Sequence, residues 1–532
     1  MRSQYIKTFI ICFLLVPAFG FAQHTPVQKP AIIPQPSEIE WKEDIFTLPE
    51  RAVVCYNSGA ENAAAWMQKL LKNTYTESFT MPGEDCVGFS IHIKEELKES
   101  LGEEGYQLKI THNTVFISAA AEAGLFYGIQ TFRQMLPSGI EQNRLTEEIR
   151  IPQVEITDHP RFAWRGSMLD ISRSFFGMDY LKKHLDRMAL YKMNRLHLHL
   201  TDDQGWRIEI KSKPKLTEIG GQGAVKNGRS GFLTQEDYKE LQKYAEARNI
   251  TIIPEIDMPG HIYAALRAYP ELNCDSLTNI KPDMATPPEL FHGYEVGWSK
   301  LCLEKPEVYD FVSEVMAELS EITTGKYIHI GGDEIDDERY EEFVVKADSI
   351  VRENGKTVIG WEEVTQAPVH SDFISQRWNG KTQSVVDTRI IESICTRFYF
   401  DHANVPGQEN TNNWCQERGV SLKDAYNFEN ENPNVIGVEA PVWTELVTSD
   451  DIADNRLWPR TIAAAEVGWT VSEAKDFNAF LQRLGQHGQR LDNLDINYFR
   501  SPSVEWNSEN EEGVFSDFMP EEIRIIKIEN GK

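Results

Sequence analysis

The sequence predicts an α/β protein, a (β/α)8 barrel preceded by a small α+β domain. From about residue 158 onwards, short apolar runs rich in β-branched residues alternate with amphipathic helical stretches. Eight such runs span roughly 340 residues, which suits a barrel whose usual size is about 250 residues before insertions. Carboxylates and aromatic residues stand where these runs end, and active sites of barrel enzymes form at the carboxyl ends of the strands.

Four segments are expected along the 532-residue chain: a signal peptide over 1–22, an α+β domain over 23–157, the barrel over 158–502, and a tail over 503–532. In the first segment, Arg2 and Lys7 precede the apolar run 9–16, and residues 20–22 offer a small-x-small cleavage site. The run is too short for a comfortable membrane anchor. We therefore expect an exported protein, periplasmic or secreted, with no transmembrane segment.

Composition excludes some partners and one kind of metal site. The formal charge is −28, from 82 acidic and 54 basic residues, and no basic block stands out, which argues against nucleic acid as a partner. Six cysteines remain after the signal peptide, and none has the CxxC spacing that is typical of a metal site. The order of the cysteines along the chain favours a disulfide between Cys274 and Cys302. Isolated buried thiols are the alternative. The only N-glycosylation triplet, at Asn249, enters an apolar strand, which favours a bacterial source.

The predicted elements follow hydrophobic periodicity. In the first domain, strands begin at Tyr106 and Val115, and a helix spans Ala119–Leu136. The predicted barrel strands are Gly166–Ile171, Asn194–Leu200, Thr251–Ile256, Tyr327–Gly332, Thr357–Trp361, Phe373–Trp378, Arg397–Phe400 and Val435–Val442. The main predicted barrel helices are Asp179–Tyr191, Gln235–Arg248, Val308–Ile322 and Glu338–Glu353. A doubly wound open sheet is the alternative, but no GxGxxG motif follows the first strand.

The fourth predicted strand ends in two glycines and two adjacent carboxylates, Gly331-Gly332-Asp333-Glu334. Neighbouring residues on a regular strand point to opposite faces, so both carboxylates can serve one pocket only if the backbone leaves strand geometry, which glycine permits. Two close carboxylates repel, so one should keep its proton to higher pH, as a general acid requires. A solvated acidic loop is the alternative.

Aromatic residues near the predicted strand ends indicate a sugar ligand, because ring faces stack on the CH face of a sugar while charged groups bind its hydroxyls. We expect these side chains to line the mouth: Trp206, Trp361, Trp378, Tyr399 and Trp443. Rim packing is the alternative for any one of them. His197 and His199 could ligate a metal with Asp202 and His261, but hydrogen bonding inside the barrel is favoured, and no metal or other cofactor is expected.

Five ordered motifs resemble glycoside hydrolase family 20, the β-N-acetylhexosaminidases. The matching stretches are 164–173 (WRGSMLDISR), 197–206 (HLHLTDDQGW), 254–261 (PEIDMPGH), 329–334 (HIGGDE) and 440–445 (APVWTE). The segment before residue 157 is similar to the α+β domain that commonly precedes the barrel in this family. The resemblance implies a retaining, substrate-assisted and exo-acting hydrolysis of terminal β-linked N-acetylglucosamine, or N-acetylgalactosamine, from glycans through an oxazolinium intermediate.

The resemblance also implies roles for individual residues. Glu334 would be the acid and base, Asp333 would orient the acetamido group, and Tyr399 would hydrogen-bond the acetamido oxygen. The remaining substrate-binding residues would be Arg173, Asp202, His261, Trp361, Trp378, Asp401, Trp443 and Glu445. Arg173 could instead form a structural ion pair. Two other hypotheses stay open: a catalytically silent glycan-binding protein, and a retaining glycosidase that pairs Glu334 with a strand-eight glutamate.

Overall fold

The computed structural model of the chain describes residues 29–83, 86–142, 145 and 147–507. The predicted signal peptide and most of the predicted tail lie outside these residues. Within the described ranges, no helix is both long and apolar enough to cross a membrane.

The N-terminal domain is a seven-stranded mixed sheet with helices, as the sequence predicts. Its strands are β1 (Glu38–Thr47), β2 (Arg51–Tyr56), β3 (Glu77–Pro82), β4 (Gly88–Ile93), β5 (Tyr106–Ile110), β6 (Thr114–Ala119) and β7 (Arg150–Asp158), in the spatial order β1-β7-β5-β6-β4-β2-β3. Its helices are α1 (Glu61–Leu71), α2 (Lys98–Leu101) and α3 (Glu122–Met135). Leu125, Ile129 and Phe132 of α3 are buried in the domain core, which confirms the predicted amphipathic helix.

The second domain is a closed eight-stranded parallel barrel, which confirms the predicted fold class. Its strands are β8 (Trp164–Asp170), β9 (Arg195–His199), β10 (Thr251–Glu255), β11 (Tyr327–His329), β12 (Thr357–Trp361), β13 (Ile374–Arg377), β14 (Arg389–Glu392) and β15 (Val435–Val442). The helices are α4 (Met178–Leu190), α5 (Lys215–Glu218), α6 (Gln235–Glu246), α7 (Tyr263–Ala268), α8 (Pro306–Ile322), α9 (Tyr340–Glu353), α10 (Cys395–Phe398), α11 (Leu422–Tyr426), α12 (Asp450–Leu457), α13 (Arg460–Trp469), α14 (Phe477–Gln486) and α15 (Gly488–Asn493).

The prediction for the seventh barrel strand was wrong. Strand β14 is Arg389–Glu392, and the predicted segment Arg397–Phe400 begins within the short helix α10. The aromatic run Phe398-Tyr399-Phe400 has high β-propensity, but propensity yields to packing: Phe398 and Phe400 are fully buried in the main core. Tyr399 and Asp401 therefore reach the barrel mouth from a loop after the strand.

A buried polar cluster joins the two domains. The carboxylate of Asp158, at the end of β7, accepts hydrogen bonds from the Tyr106 hydroxyl, the Lys192 ammonium and the Trp469 indole at 2.7–3.0 Å. All four residues are 0 % exposed. Because a buried charge is tolerated only when it is paired, this cluster fixes the first domain against the barrel.

Three disulfides lie within the described part of the chain: Cys55–Cys86, Cys274–Cys302 and Cys395–Cys415. The predicted Cys274–Cys302 pair is confirmed. The Cys395–Cys415 bond ties the start of α10 to the loop that follows Asp401, beside the barrel mouth.

Candidate active site

The backbone after β11 leaves strand geometry where the two glycines stand. Gly331, Gly332 and Glu334 have φ of +66°, +102° and +56°. The Gly332 N–H donates to Asp257 Oδ1 at 3.1 Å, which holds the turn against the end of β10. Left-handed backbone is uncommon for a residue such as glutamate and is concentrated at functional sites. This turn directs both carboxylates towards His261 and one pocket, as the sequence predicts.

We expect Gly331→Ala to damage both folding and activity. A Cβ on Gly331 would lie 1.8 Å from Asp257 Oδ1, and φ is +66°, so a clash adds to the cost of about 1–2 kcal/mol for a left-handed alanine. Thermal unfolding and turnover would be compared with Gly355→Ala, where φ is +75° and a Cβ meets nothing within 4 Å. Equal stability losses in the two variants would contradict the argument from close packing.

His261 lies between the two carboxylates and Asp202. Its Nε2 is 3.4 Å from Glu334 Oε2 and 3.8 Å from Asp333 Oδ2, while its Nδ1 is 3.5 Å from Asp202 Oδ1. Burial opposes the charge on His261, but the surrounding carboxylates, led by Asp202, hold its pKa well above the usual value. The imidazolium therefore sets the charge next to the catalytic pair.

In the free site, the pKa shifts of the two carboxyl groups run opposite to the roles that the resemblance implies for them. Burial and the neighbouring charges of Glu334 and Glu255 raise the pKa of Asp333 to about 6. Burial opposes ionisation of Glu334 as well, but the close His261 ring and the positive charges of His261 and Arg173 lower its pKa. Burial also contributes to the difference, because the Glu334 side chain is 35 % exposed, whereas that of Asp333 is only 14 % exposed.

This ionisation pattern predicts an acidic pH optimum. Adjacent carboxylates titrate as a pair, and a reaction that needs one acid and one anion requires a single proton on the pair. We expect kcat/KM to fall above pH about 6, where Asp333 loses the shared proton, and to fall again at low pH, where Glu334 gains a second one. A pH profile of kcat/KM checks this, and a plateau that extends from pH 6 to pH 8 would contradict it.

Arg173 is buried, and two carboxylates, Asp170 and Asp202, hold its guanidinium group. We call this buried end of the site the pocket floor. Arg173 Nη2 is 2.7 Å from Asp202 Oδ2 and Arg173 Nη1 is 3.4 Å from Asp170 Oδ2. The ion pair that was an alternative to sugar binding is thus present, while Nε has no hydrogen-bond partner within the described structure. Burial, with Asp170 and Asp401 nearby, raises the pKa of the Glu445 carboxyl to about 7 despite the opposing charge of Arg173.

Two of the predicted site carboxylates each have one buried oxygen that finds no hydrogen-bond partner within the described part of the chain. These oxygens are Asp333 Oδ1 and Asp401 Oδ1, while Asp401 Oδ2 accepts a hydrogen bond from His402 Nδ1 at 3.1 Å. Buried polar atoms in folded proteins normally have partners. Unpaired oxygens at the predicted site are therefore available to ligand N–H and O–H groups.

Four of the five predicted aromatic residues form one cluster at the barrel mouth. Ring centroids are 5.7 Å apart for Trp361 and Trp443, 6.1 Å for Tyr399 and Trp443, and 6.5 Å for Trp378 and Tyr399. Trp206 does not belong to it. Its side chain is fully buried, donates to the Ile208 carbonyl at 2.8 Å, and packs in the main core. Its expected place at the mouth was wrong, because its ring packs in the core, with its centroid 6.3 Å from that of Phe311.

Two further residues at this site were not singled out from the sequence. Glu363 accepts the Trp378 indole N–H at 3.0 Å, and burial together with the charge of Asp333 raises its pKa to about 8. Trp414 is 52 % exposed, and its ring lies 5.6 Å from that of Trp378 and 5.9 Å from that of Tyr399. Glu363 could have been found from its place just after a barrel strand, whereas Trp414 comes from a long loop without a local signal.

Several carboxylate and histidine groups are close enough for a metal, but in one of these groups hydrogen bonds already occupy the histidine. Among the described residues, four sets have ligand atoms within 4.8 Å of one another: His197/Glu255/His329, His199/Asp202/Asp257, Asp202/Asp203/His261 and Asp257/His261/Asp333. Both ring nitrogens of His199 already face carboxylate oxygens, at 2.5 and 2.9 Å. A histidine ligand must offer a free lone pair to the metal, so we assign this set to hydrogen bonding inside the barrel, as expected.

The chain is similar to proteins of known activity over most of its length. A β-N-acetylhexosaminidase of Cellulomonas fimi is 33% identical over 500 residues, which cover 90% of this chain and 97% of that protein. A β-hexosaminidase of Porphyromonas gingivalis is 32% identical, covering 88% of this chain and 64% of that protein. The solved structure of the β-N-acetylhexosaminidase from Streptomyces coelicolor A3(2) matches with a TM-score of 0.82 and 34% identity, covering 90% of this chain and 99% of that one.

Two family models account for both domains. The model of glycosyl hydrolase family 20, domain 2, matches residues 29–159, and the model of the catalytic domain of the same family matches residues 162–342 and 336–472. These matches meet at the junction between β7 and β8, so the family covers both the sheet domain and the barrel. On the combined evidence of fold and sequence, the chain belongs to glycosyl hydrolase family 20.

Proposed function

We propose that the protein is an exo-acting β-N-acetylhexosaminidase that releases terminal β-linked N-acetylglucosamine from glycans. The observation that carries the proposal is the adjacent pair Asp333 and Glu334, in contact with His261 and facing an aromatic enclosure. Adjacent carboxylates of opposite protonation suit one acid and one stabilising anion. The enclosure of indole rings suits a sugar and its acetamido methyl group.

In the first step, the substrate's own acetamido oxygen attacks the anomeric carbon. The glycosidic C–O bond breaks, Glu334 gives its proton to the leaving oxygen, and an oxazolinium ion forms. Asp333 accepts a hydrogen bond from the acetamido N–H and stabilises the positive charge there. Tyr399 donates to the acetamido oxygen, while Trp361, Trp378 and Trp443 enclose the methyl group and the sugar ring.

In the second step, water attacks the anomeric carbon and the Glu334 carboxylate takes its proton. The anomeric C–O bond of the oxazolinium ring breaks, which restores the acetamide with retained configuration. Sugar hydroxyls bind Arg173, Asp401 and Glu445 at the pocket floor.

Binding of the sugar would move the shared proton to the residue that needs it. A bound sugar covers the exposed part of Glu334, which raises its pKa, and its amide N–H faces Asp333, which lowers the pKa of that group. The free-site order, with Asp333 the weaker acid, would then be reversed in the complex. As the pH is raised, we therefore expect kcat to begin to fall at a higher pH than kcat/KM does.

The test is hydrolysis of an aryl β-N-acetylglucosaminide beside the matching β-glucoside and β-N-acetylgalactosaminide. Cleavage of the acetamido sugars alone supports the proposal, and their ratio gives the preference between the two. Cleavage of the glucoside as well would indicate a two-carboxylate mechanism. In such a mechanism, the partner of Glu334 from the eighth barrel strand, β15, could not be Glu439. That residue is fully buried and hydrogen-bonded to Trp164, His197 and Gln376. Binding of acetamido sugars without any turnover would indicate a glycan-binding protein.

We also propose that the protein is exported, to the periplasm or the medium. The basic and apolar pattern of residues 1–22 supports this, and three disulfides suit an oxidising compartment. Comparison of the amino terminus of the mature protein in extracellular, periplasmic and cytoplasmic fractions tests it. A chain that keeps residue 1 in the cytoplasmic fraction would contradict the proposal.

A further inference from the structure

A buried chain of alternating charges runs beneath the active site. Glu255, at the end of β10, is fully buried and faces three imidazole rings and one indole. Its Oε2 lies 2.5 Å from His199 Nδ1 and 3.1 Å from His197 Nε2. Its Oε1 accepts the Trp361 indole N–H at 2.9 Å. Glu255 thus contacts both the aromatic enclosure and the strand that carries His199.

His199 continues this chain to the pocket floor. Its second ring nitrogen, Nε2, lies 2.9 Å from Asp202 Oδ2. The same Asp202 oxygen receives Arg173 Nη2 at 2.7 Å, and the other oxygen faces His261 Nδ1 at 3.5 Å. From His261, 3.4 Å separates Nε2 from Glu334 Oε2. The order of groups is therefore Glu255, His199, Asp202, His261, Glu334.

The geometry requires a charged ring at His199. Both of its ring nitrogens face carboxylate oxygens, and only an imidazolium has two N–H donors. Burial opposes this charge, but Glu255 and Asp202 hold the pKa of His199 well above the usual value. The titratable groups that face the ring are Glu255 at the end of β10, Asp257 just after it, Asp170 at the end of β8, and Asp202 in the loop after β9.

We propose that Glu255 and His199 are positioning residues: they hold Asp202, and through it His261 and Arg173, in the orientation and charge state that the catalytic carboxylates need. This inference rests on the proposed hexosaminidase activity. Because Asp202 Oδ2 is bound by His199 and Arg173 together, its Oδ1 is left facing His261. Loss of the charge on His199 would leave the Asp202 carboxylate held only by Arg173 and by the Asp203 N–H, which donates to Oδ1 at 2.6 Å, and would alter the electric field at the pair.

The sharpest variant is Glu255→Gln, which keeps the shape and an acceptor for the Trp361 indole but removes the charge. Without its anionic partner, His199 should titrate near the usual histidine value of about 6.5. We expect kcat to fall at least about tenfold, with a smaller change in KM, and the pH profile of kcat/KM to gain an ionisation between about pH 5 and 8. Glu255→Asp, which restores the charge, should remove that extra ionisation even if kcat stays low.

The matched control is Glu141→Gln in the N-terminal domain. Glu141 is likewise a buried carboxylate, 3 % exposed in its side chain, held by Arg133 and Arg490. A purely structural role for Glu255 predicts that both variants lose stability and keep the wild-type pH profile. An unshifted profile in folded Glu255→Gln would overturn the proposal.

A second measurement needs no variant and no activity. In protein labelled with ¹⁵N-histidine, we expect imidazolium signals that persist at pH 8, above the range in which ordinary histidines lose their charge. Their number should fall in Glu255→Gln. If every histidine of the wild-type protein is neutral at pH 8, the charged chain does not exist. This readout also separates the two hypotheses, because it stands even if no acetamido sugar is hydrolysed.

Discussion

Glu334→Gln is expected to lose about 10²–10⁴-fold in kcat on an aryl β-N-acetylglucosaminide while the protein stays folded. The amide has the shape of the acid but cannot donate a proton to the leaving oxygen. The loss should shrink for a dinitrophenyl leaving group, whose departure needs little protonation. Turnover of the two aryl glycosides and the thermal unfolding curve are the measurements.

The control for this variant is Glu338→Gln, an exposed glutamate of the same acidic loop. It should keep wild-type turnover, because surface carboxylates away from the pocket affect neither proton transfer nor packing. Near-normal turnover in folded Glu334→Gln would contradict the proposed acid role. A loss of the same size for both leaving groups would contradict it as well.

Asp333→Asn is expected to lose about 10²–10³-fold in kcat, since the positive charge that develops on the acetamido nitrogen loses its anionic partner. The neutral side chain also removes the electrostatic repulsion between the two carboxylates. The fall of kcat/KM above pH about 6, which we assign to ionisation of Asp333, should therefore disappear in this variant. Steady-state kinetics over pH 4–8 measure both effects.

Asp336→Asn provides the comparison, because Asp336 is exposed in the loop that follows the catalytic pair. It should leave turnover and the pH profile unchanged. Unchanged kinetics of Asp333→Asn on acetamido substrates would exclude the substrate-assisted mechanism, whatever the fate of Glu334.

Local sequence was enough to place the catalytic pair. The run Tyr327–Ile330 is apolar on every residue but His329, and the two glycines that follow permit left-handed φ, so a turn with two carboxylates could be predicted before any coordinates. The barrel was likewise predictable, because eight apolar runs of strand length each preceded polar residues. Strand β14 was missed because its four residues have no strong periodicity, and the nearby aromatic run gives a stronger strand signal.

Only the tertiary structure decided in which direction the pKa of each member of the pair shifts and what surrounds the pair. Asp333 and Glu334 are equivalent in sequence, but His261 and Arg173 reach Glu334 from other strands, and burial falls more heavily on Asp333. The chain from Glu255 to His261 joins residues from β9, β10 and the loops after them, and Trp414 reaches the mouth from a loop tied by a disulfide. Sequence determined the chemical groups, since they follow from local pattern, whereas their charges depend on neighbours brought together by folding.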